Sequence, residues 1–317
     1  MHAPKIYKTV KTRFTTSINM SPHLVSAYQW SEHDGLYTCN LLLHDHGYTK
    51  ILLKPNVKLN FRIQPGRRCI GYHLLTSSRK WKQLTPCPTS SIARGGPQCP
   101  SCIARDTTAP CLRCRGETCT SSDPVRENCE KLQAYVYLAV FGGKLKVGVT
   151  QETRYVTRWV EQGADAAFRI LTGNGSEVRH LEHLIHTRLG VPESVRAGVK
   201  ISTLGNEDKI KEALLLLEVT RQRVHGITSS NQRFNEDPWI LLPHYNIPVI
   251  KQKPLVLKVE DETTVSGEVV GVKGPILLLR KGEMFFVLGL SALLGRRIEF
   301  MSDEVKNQTG LEYFFRR

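Results

Sequence analysis

Eight of the chain's nine cysteines fall between Cys69 and Cys129, and that crowding limits the fold more than any other feature. Two pairs within it, Cys99-Pro-Ser-Cys102 and Cys111-Leu-Arg-Cys114, have the CxxC spacing in which a tight turn brings two thiolates onto one tetrahedral metal. In chain order the eight divide into Cys69, Cys87, Cys99 and Cys102, then Cys111, Cys114, Cys119 and Cys129. Each set has the donors for one zinc, giving two sites. The alternative is a single site made from the two CxxC pairs across the short connection 103–110. His73 is a substitute ligand for the first set. A site of four thiolates has no open position for water, so its metal is structural, and its binding energy becomes folding energy for a Gly-, Ser- and Pro-rich segment. The competing reading is a thiol redox site at Cys99 and Cys102. A thioredoxin-like site follows a strand and opens a helix, and Thr85 to Gly96 carries no strand pattern.

A chain of 317 residues exceeds the ~250–300 that one core ordinarily serves. The texture divides it into an N-terminal β-rich domain (1–68), the zinc-binding region (69–130), a central domain (131–228), a linker (229–240) and a C-terminal domain (241–317). The first contains the apolar runs 41–43 and 50–53, with Cys39 in a strand-like stretch, Leu36 to Leu43. The last has short runs at 255–259, 267–272, 276–279 and 284–288, for which a small β-barrel is the natural closure. The fold class expected is α+β.

The net charge of +15 and pI near 9.5 favour an anionic partner, DNA or RNA, through surface potential and counterion release. Lys273-Gly274, with Arg280, Lys281, Arg296, Arg297, Arg316 and Arg317, is a candidate backbone-binding surface. No apolar run reaches the ~18 residues of a spanning helix, so no membrane partner is expected. Met1 to Thr16 leads into no apolar signal region, and a cytoplasmic location follows as the expectation.

The central segment has the clearest local grammar. Tyr135 to Phe141 and Lys144 to Thr150 are β-rich runs about a Gly142-Gly143 turn, which predicts a hairpin. An amphipathic helix with Arg154, Arg158 and Trp159 is expected through Ala167. A second helix, Glu177 to Leu189, puts Val178, Leu181, Ile185 and Leu189 on one face. A third, Lys209 to Val224, carries Ile210, Ala213, Leu214, Leu217 and Val219 at helical spacing.

This order of hairpin, arginine-bearing helix, strand and acid-bearing helix resembles GIY-YIG nucleases. Tyr135-Val-Tyr137 occupies the GIY place, Lys146-Val-Gly-Val-Thr150 resembles the YIG segment, Arg158 the arginine after it, and Glu182 the metal-binding glutamate. The resemblance implies that Glu182 holds one Mg²⁺ or Mn²⁺, that Tyr137 assists the nucleophile, and that Arg158 faces the phosphate. Two positions depart from it: Tyr135 replaces the first glycine, and Lys146 replaces the tyrosine of YIG. Lysine can hold a phosphate, or act as a base where burial lowers its pKa. Of His180, His183 and His186, the last, four residues after Glu182, is best placed to assist. CPSC, CLRC, KVGVT, TRWVEQGA, LEHLIH and GEVVGVKGPILLL together resemble domain-of-unknown-function family 2797 from about Cys69 to Phe300, which implies an architecture and no reaction. Two functions follow as expectations: a zinc-containing, Mg- or Mn-dependent endonuclease, or a non-catalytic RNA- or DNA-binding protein, associated with tRNA or ribosomes, on a degenerate nuclease fold.

Overall fold

The computed structural model describes residues 21–44, 47–75, 82–205, 208–250 and 252–301. Arg316 and Arg317 lie outside them. The chain opens with four strands, β1 (His23–His33), β2 (Leu36–His44), β3 (Tyr48–Leu53) and β4 (Lys58–Arg67). The cysteine-rich region follows, with β5 (Tyr72–Leu75), β6 (Lys82–Thr85), α1 (Pro100–Arg105), α2 (Ala109–Arg113) and α3 (Asp123–Lys131). Next come the hairpin β7 (Gln133–Phe141) and β8 (Lys144–Gln151), α4 (Tyr155–Gln162), β9 (Ala166–Asn174), α5 (Gly175–Leu189), α6 (Ala197–Ser202) and α7 (Asp208–Ile227). The last part holds β10 (Trp239–Ile240), β11 (Leu255–Leu257), β12 (Thr264–Lys273), β13 (Ile276–Lys281), β14 (Met284–Gly289), α8 (Leu290–Leu293) and β15 (Arg296–Phe300).

The expected α+β class holds, but the β-barrel does not. The C-terminal strands join the N-terminal ones in a nine-stranded sheet ordered β11-β14-β13-β12-β4-β15-β1-β2-β3. Two antiparallel ladders on β4, to β12 and to β15, account for the difference. They satisfy the backbone groups that a barrel would have closed on itself, and no closed barrel forms among the described residues. Segments that read as separate β units at the two ends of the chain thus share one sheet. Alternation in β4 turns Leu59, Phe61 and Ile63 inward.

In a second sheet, ordered β10-β9-β7-β8, the central strand β7 is buried on both faces, which is why it is apolar almost throughout. Tyr137, Ala139 and Phe141 join one core with Trp159 and Val160 of α4 and with Val25, Phe61 and Val269 of the large sheet. Val136, Leu138 and Val140 face Val178 and Ile185 of α5 and Leu217 and Val224 of α7. One core therefore runs between the two sheets, and a second lies under the helices.

The arginine-bearing helix stops at Gln162, well short of Ala167. Gly163 takes a left-handed conformation (φ 75°), and its N–H returns to the carbonyls of Trp159 and Val160. Ala166 and Ala167 then pair as strand with β7. On α7, Val219 is half-exposed while Ala213 and Leu217 are buried, so the inward face is narrower than the spacing predicts. The stretch expected as a linker lies along β9: Phe234 N–H donates to the Ile170 carbonyl, Glu236 pairs with Arg169, and β10 continues the sheet. No helix among the described residues is long and apolar enough to cross a membrane.

Candidate functional site

Cys69, Cys87, Cys99 and Cys102 bring their sulfurs within 4.8 Å of one another, the one such group of metal-ligand atoms among the described residues. Zinc–sulfur bonds of about 2.3 Å in a tetrahedron separate the sulfurs by about 3.8 Å, so the set fits zinc with little movement. The backbone is already turned toward it. Gly71 (φ 103°) and Cys99 donate N–H bonds to Cys69 Sγ at 3.4 and 3.1 Å, and α1 begins at Pro100 and carries Cys102 inward. A side chain at Gly71 would strike the Thr85 backbone, so glycine is required there.

Burial and mutual proximity displace the thiols of this set from their ordinary range. Burial, reinforced by the neighbouring thiols, pushes Cys102 well above the ordinary thiol range. Cys87 is opposed by burial, yet hydrogen bonds from Thr89 and Ser91 bring it down to about 6. Four thiolates at this spacing need a metal to coexist. His73 is not a ligand here: its backbone N–H and Nδ1 both face Asp106 Oδ2, at 3.1 and 3.3 Å.

The second set is gathered less tightly. Cys111, Cys114 and Cys129 are partly buried and Cys119 is exposed. Burial pushes the Cys129 thiol up to about 11, against the charge of Arg179, and Cys111, Cys114 and Cys119 add to the rise.

In the central sheet, four of the sequence-predicted residues come together. Tyr137 and Lys146 project from neighbouring strands onto the same face, since Tyr137 opposes Gly148 and Ala139 opposes Lys146. The Tyr137 hydroxyl and the Lys146 ammonium both donate to Gln162 Oε1 at 2.9 Å. Arg158 and Gln162 stand four residues apart on α4, one turn of the same face. From the other side, α5 contributes Glu182. Its start is fixed by Asn174, whose side chain accepts the N–H groups of Ser176 and Glu177 at 2.9 and 3.0 Å, while Glu177 accepts that of Asn174 at 2.8 Å.

The charges in this cluster are displaced by each other and by burial. Burial pushes Glu182 up to about 7, with Glu193 adding to the rise and Arg179, Lys146 and Arg158 opposing it. Burial lowers Lys146 to about 8, helped by Arg158 and opposed by Glu182. Burial raises Tyr137 to about 12, and Arg158 opposes it. Lys200 is also lowered to about 8 by burial, Lys273 and Arg158, and donates to the Gln162 carbonyl at 2.7 Å. Arg158, itself exposed, is thus a common electrostatic neighbour of all four.

His186 is drawn elsewhere. Its Nδ1 donates to the Val191 carbonyl at 2.9 Å, closing the turn after α5. Lys273, expected on a nucleic-acid surface, is only 4% exposed and forms an ion pair with the buried Asp165. Arg280 and Arg296 are tied to Glu268 and Asp261.

The family model for proteins of unknown function designated DUF2797 matches residues 57–295, more than half of the chain. The chain belongs to this family. No curated protein and no solved structure matches it.

In this DUF2797 member three further residues that the sequence did not single out, Gln162, Lys200 and Glu193, join the cluster. Gln162 was legible in principle, one helical turn beyond Arg158. Glu193 comes from the irregular stretch after α5 and Lys200 from the short helix α6, neither long enough for a periodicity that points to a site.

Proposed function

We propose that this protein is a zinc-stabilised nucleic-acid-binding protein whose central unit is a GIY-YIG-like centre hydrolysing phosphodiesters with Mg²⁺ or Mn²⁺. One observation carries the reading: Glu182 and Lys146 sit beside exposed Arg158 with pKa values displaced toward neutrality, to about 7 and about 8. Such paired displacements are typical of groups arranged for proton transfer and charge stabilisation. Structural zinc in the first cysteine set belongs to the same reading, since sulfur suits zinc and carboxylate suits a hard ion.

Glu182 would hold the hard cation. The charge of Glu193 already raises its pKa, and a cation would relieve that repulsion. When bound, such an ion polarises a phosphoryl oxygen and acidifies its water. Lys146 has a neutral fraction near pH 8 and can take a proton from the attacking water. Arg158 can face the charge that grows on the phosphate. Tyr137 is fully buried, its hydroxyl spent on Gln162; its role is to fix Gln162 and, through it, Lys146. Exposed Lys144, Arg188 and Arg196 on the surrounding segments would meet the phosphate backbone.

The burial of Tyr137 favours a second reading, in which the same surface binds RNA or DNA without cutting it. Anisotropy titrations with single-stranded DNA, branched DNA and structured RNA test the shared claim. Affinity should fall steeply as salt rises, and a flat response contradicts nucleic acid as the partner. Cleavage of the same substrates with Mg²⁺ or Mn²⁺, abolished by chelator, separates the two readings.

A further inference from the structure

We infer that Cys111, Cys114, Cys119 and Cys129 form a second structural zinc site, and that this site braces the helix carrying Glu182. The argument begins with a local match between the two cysteine sets. In the first, Cys69-Ile70-Gly71 places glycine at φ 103° with its N–H on Cys69 Sγ at 3.4 Å. In the second, Cys114-Arg115-Gly116 places glycine at φ 84° with its N–H on Cys114 Sγ at 3.4 Å. The same turn thus points an amide at a sulfur in both places, the polarity that a metal-bound thiolate requires. Both CxxC pairs also lie on a short helical turn with proline near its start: Cys99 caps α1 ahead of Pro100, and Cys111 follows Pro110 within α2, with Cys114 at its C-terminal cap.

The second set is assembled against α5. Ser176 Oγ donates to the Gly116 carbonyl at 3.1 Å. A Cβ on Gly116 would stand 2.5 Å from the Ser176 carbonyl oxygen and 2.6 Å from the His180 nitrogen. A Cβ on Gly175 would stand 2.5 Å from Cys129 Sγ. The turn after Cys114 and the end of α3 therefore grip the first turns of α5 on two sides, through contacts that only glycine permits. When zinc binds, four Zn–S bonds form and the thiol protons pass to solvent, drawing exposed Cys119 in to complete the set. The consequence for Glu182, six residues beyond Ser176 on the same helix, rests on the proposed phosphodiester chemistry; the metal site itself does not.

Elemental analysis of the purified full-length protein should find two zinc atoms per chain, falling to one in the double variant Cys111→Ser, Cys114→Ser. Hydrogen exchange of the first turns of α5 should be faster in that variant, with the first cysteine set and the large sheet unchanged. Should the variant fold poorly, mercurial titration of the wild-type chain against a zinc dye should release metal in two steps. One zinc in the wild-type chain, two in the variant, or a single release step overturns the second site. Two zincs with unchanged α5 exchange overturns the brace. None of these readouts depends on cleavage, so an inactive protein leaves the site standing.

Discussion

Tyr137 and Lys146 donate to the same oxygen, Oε1 of Gln162, each at 2.9 Å. That shared acceptor ties a strand of the central hairpin, its neighbour and α4 together beneath Arg158. Replacing it in Gln162→Leu leaves a buried hydroxyl without its acceptor. The expected cost is about 1–3 kcal/mol, read as a lower denaturation midpoint with unchanged slope. No change in stability would show that the two donors find other acceptors.

Gly148 lies opposite Tyr137, and a Cβ there would enter the tyrosine ring, 2.5 Å from Cζ. The ring is fully buried against Trp159 and cannot swing aside. Gly148→Ala should destabilise the chain by about 1–3 kcal/mol through overpacking, and the double variant Gly148→Ala, Tyr137→Phe should recover part of that loss. Thermal denaturation of the three proteins checks it.

The buried pair Lys273 and Asp165 separates a structural cation from a binding one. Asp165 also accepts the Gly142 N–H in the hairpin turn, so Lys273→Ala strands a charge that two elements share. A loss of about 3–5 kcal/mol is expected. Under conditions where the variant remains folded, the salt dependence of nucleic-acid binding should match wild type. A shallower slope would return Lys273 to the binding surface.

Much of this arrangement was legible in the sequence, and the failures have physical causes. The hairpin around Gly142-Gly143, the face of α5 and the Cys99–Cys102 half of the first cysteine set are specified by neighbours in the chain: a turn, a 3.6-residue period, a CxxC spacing. The joining of β4 to β12 and β15 was not, because strand pairing over some two hundred residues leaves no local pattern. Lys273 misled for the same reason. A lysine beside glycine reads as a surface turn until Asp165, distant in sequence, is seen beside it. His186 shares a turn with Glu182, but the loop after α5 supplies a carbonyl that captures it.

The raised pKa of Glu182 makes a pH prediction for the metal-free protein. Its folded value of about 7 exceeds the ordinary 4.5, so the folded state holds the proton more tightly. The resulting stability is fully present below pH 4.5 and is lost as pH rises through about 7. Glu182→Gln should therefore stabilise the protein at pH 8, by about 3 kcal/mol, and the gain should disappear near pH 4. A gain independent of pH would place its origin in packing rather than ionisation.

The central claim turns on the same side chain. Wild type and Glu182→Gln, both zinc-loaded, can be compared on branched DNA, single-stranded DNA and structured RNA with Mn²⁺ at concentrations giving equal occupancy. Metal-dependent cutting by wild type, reduced at least about 100-fold in the variant while binding is retained, is the predicted result. Equal cutting by both proteins would contradict the assignment of Glu182, and binding without cutting by wild type would leave a nucleic-acid platform in place of an enzyme.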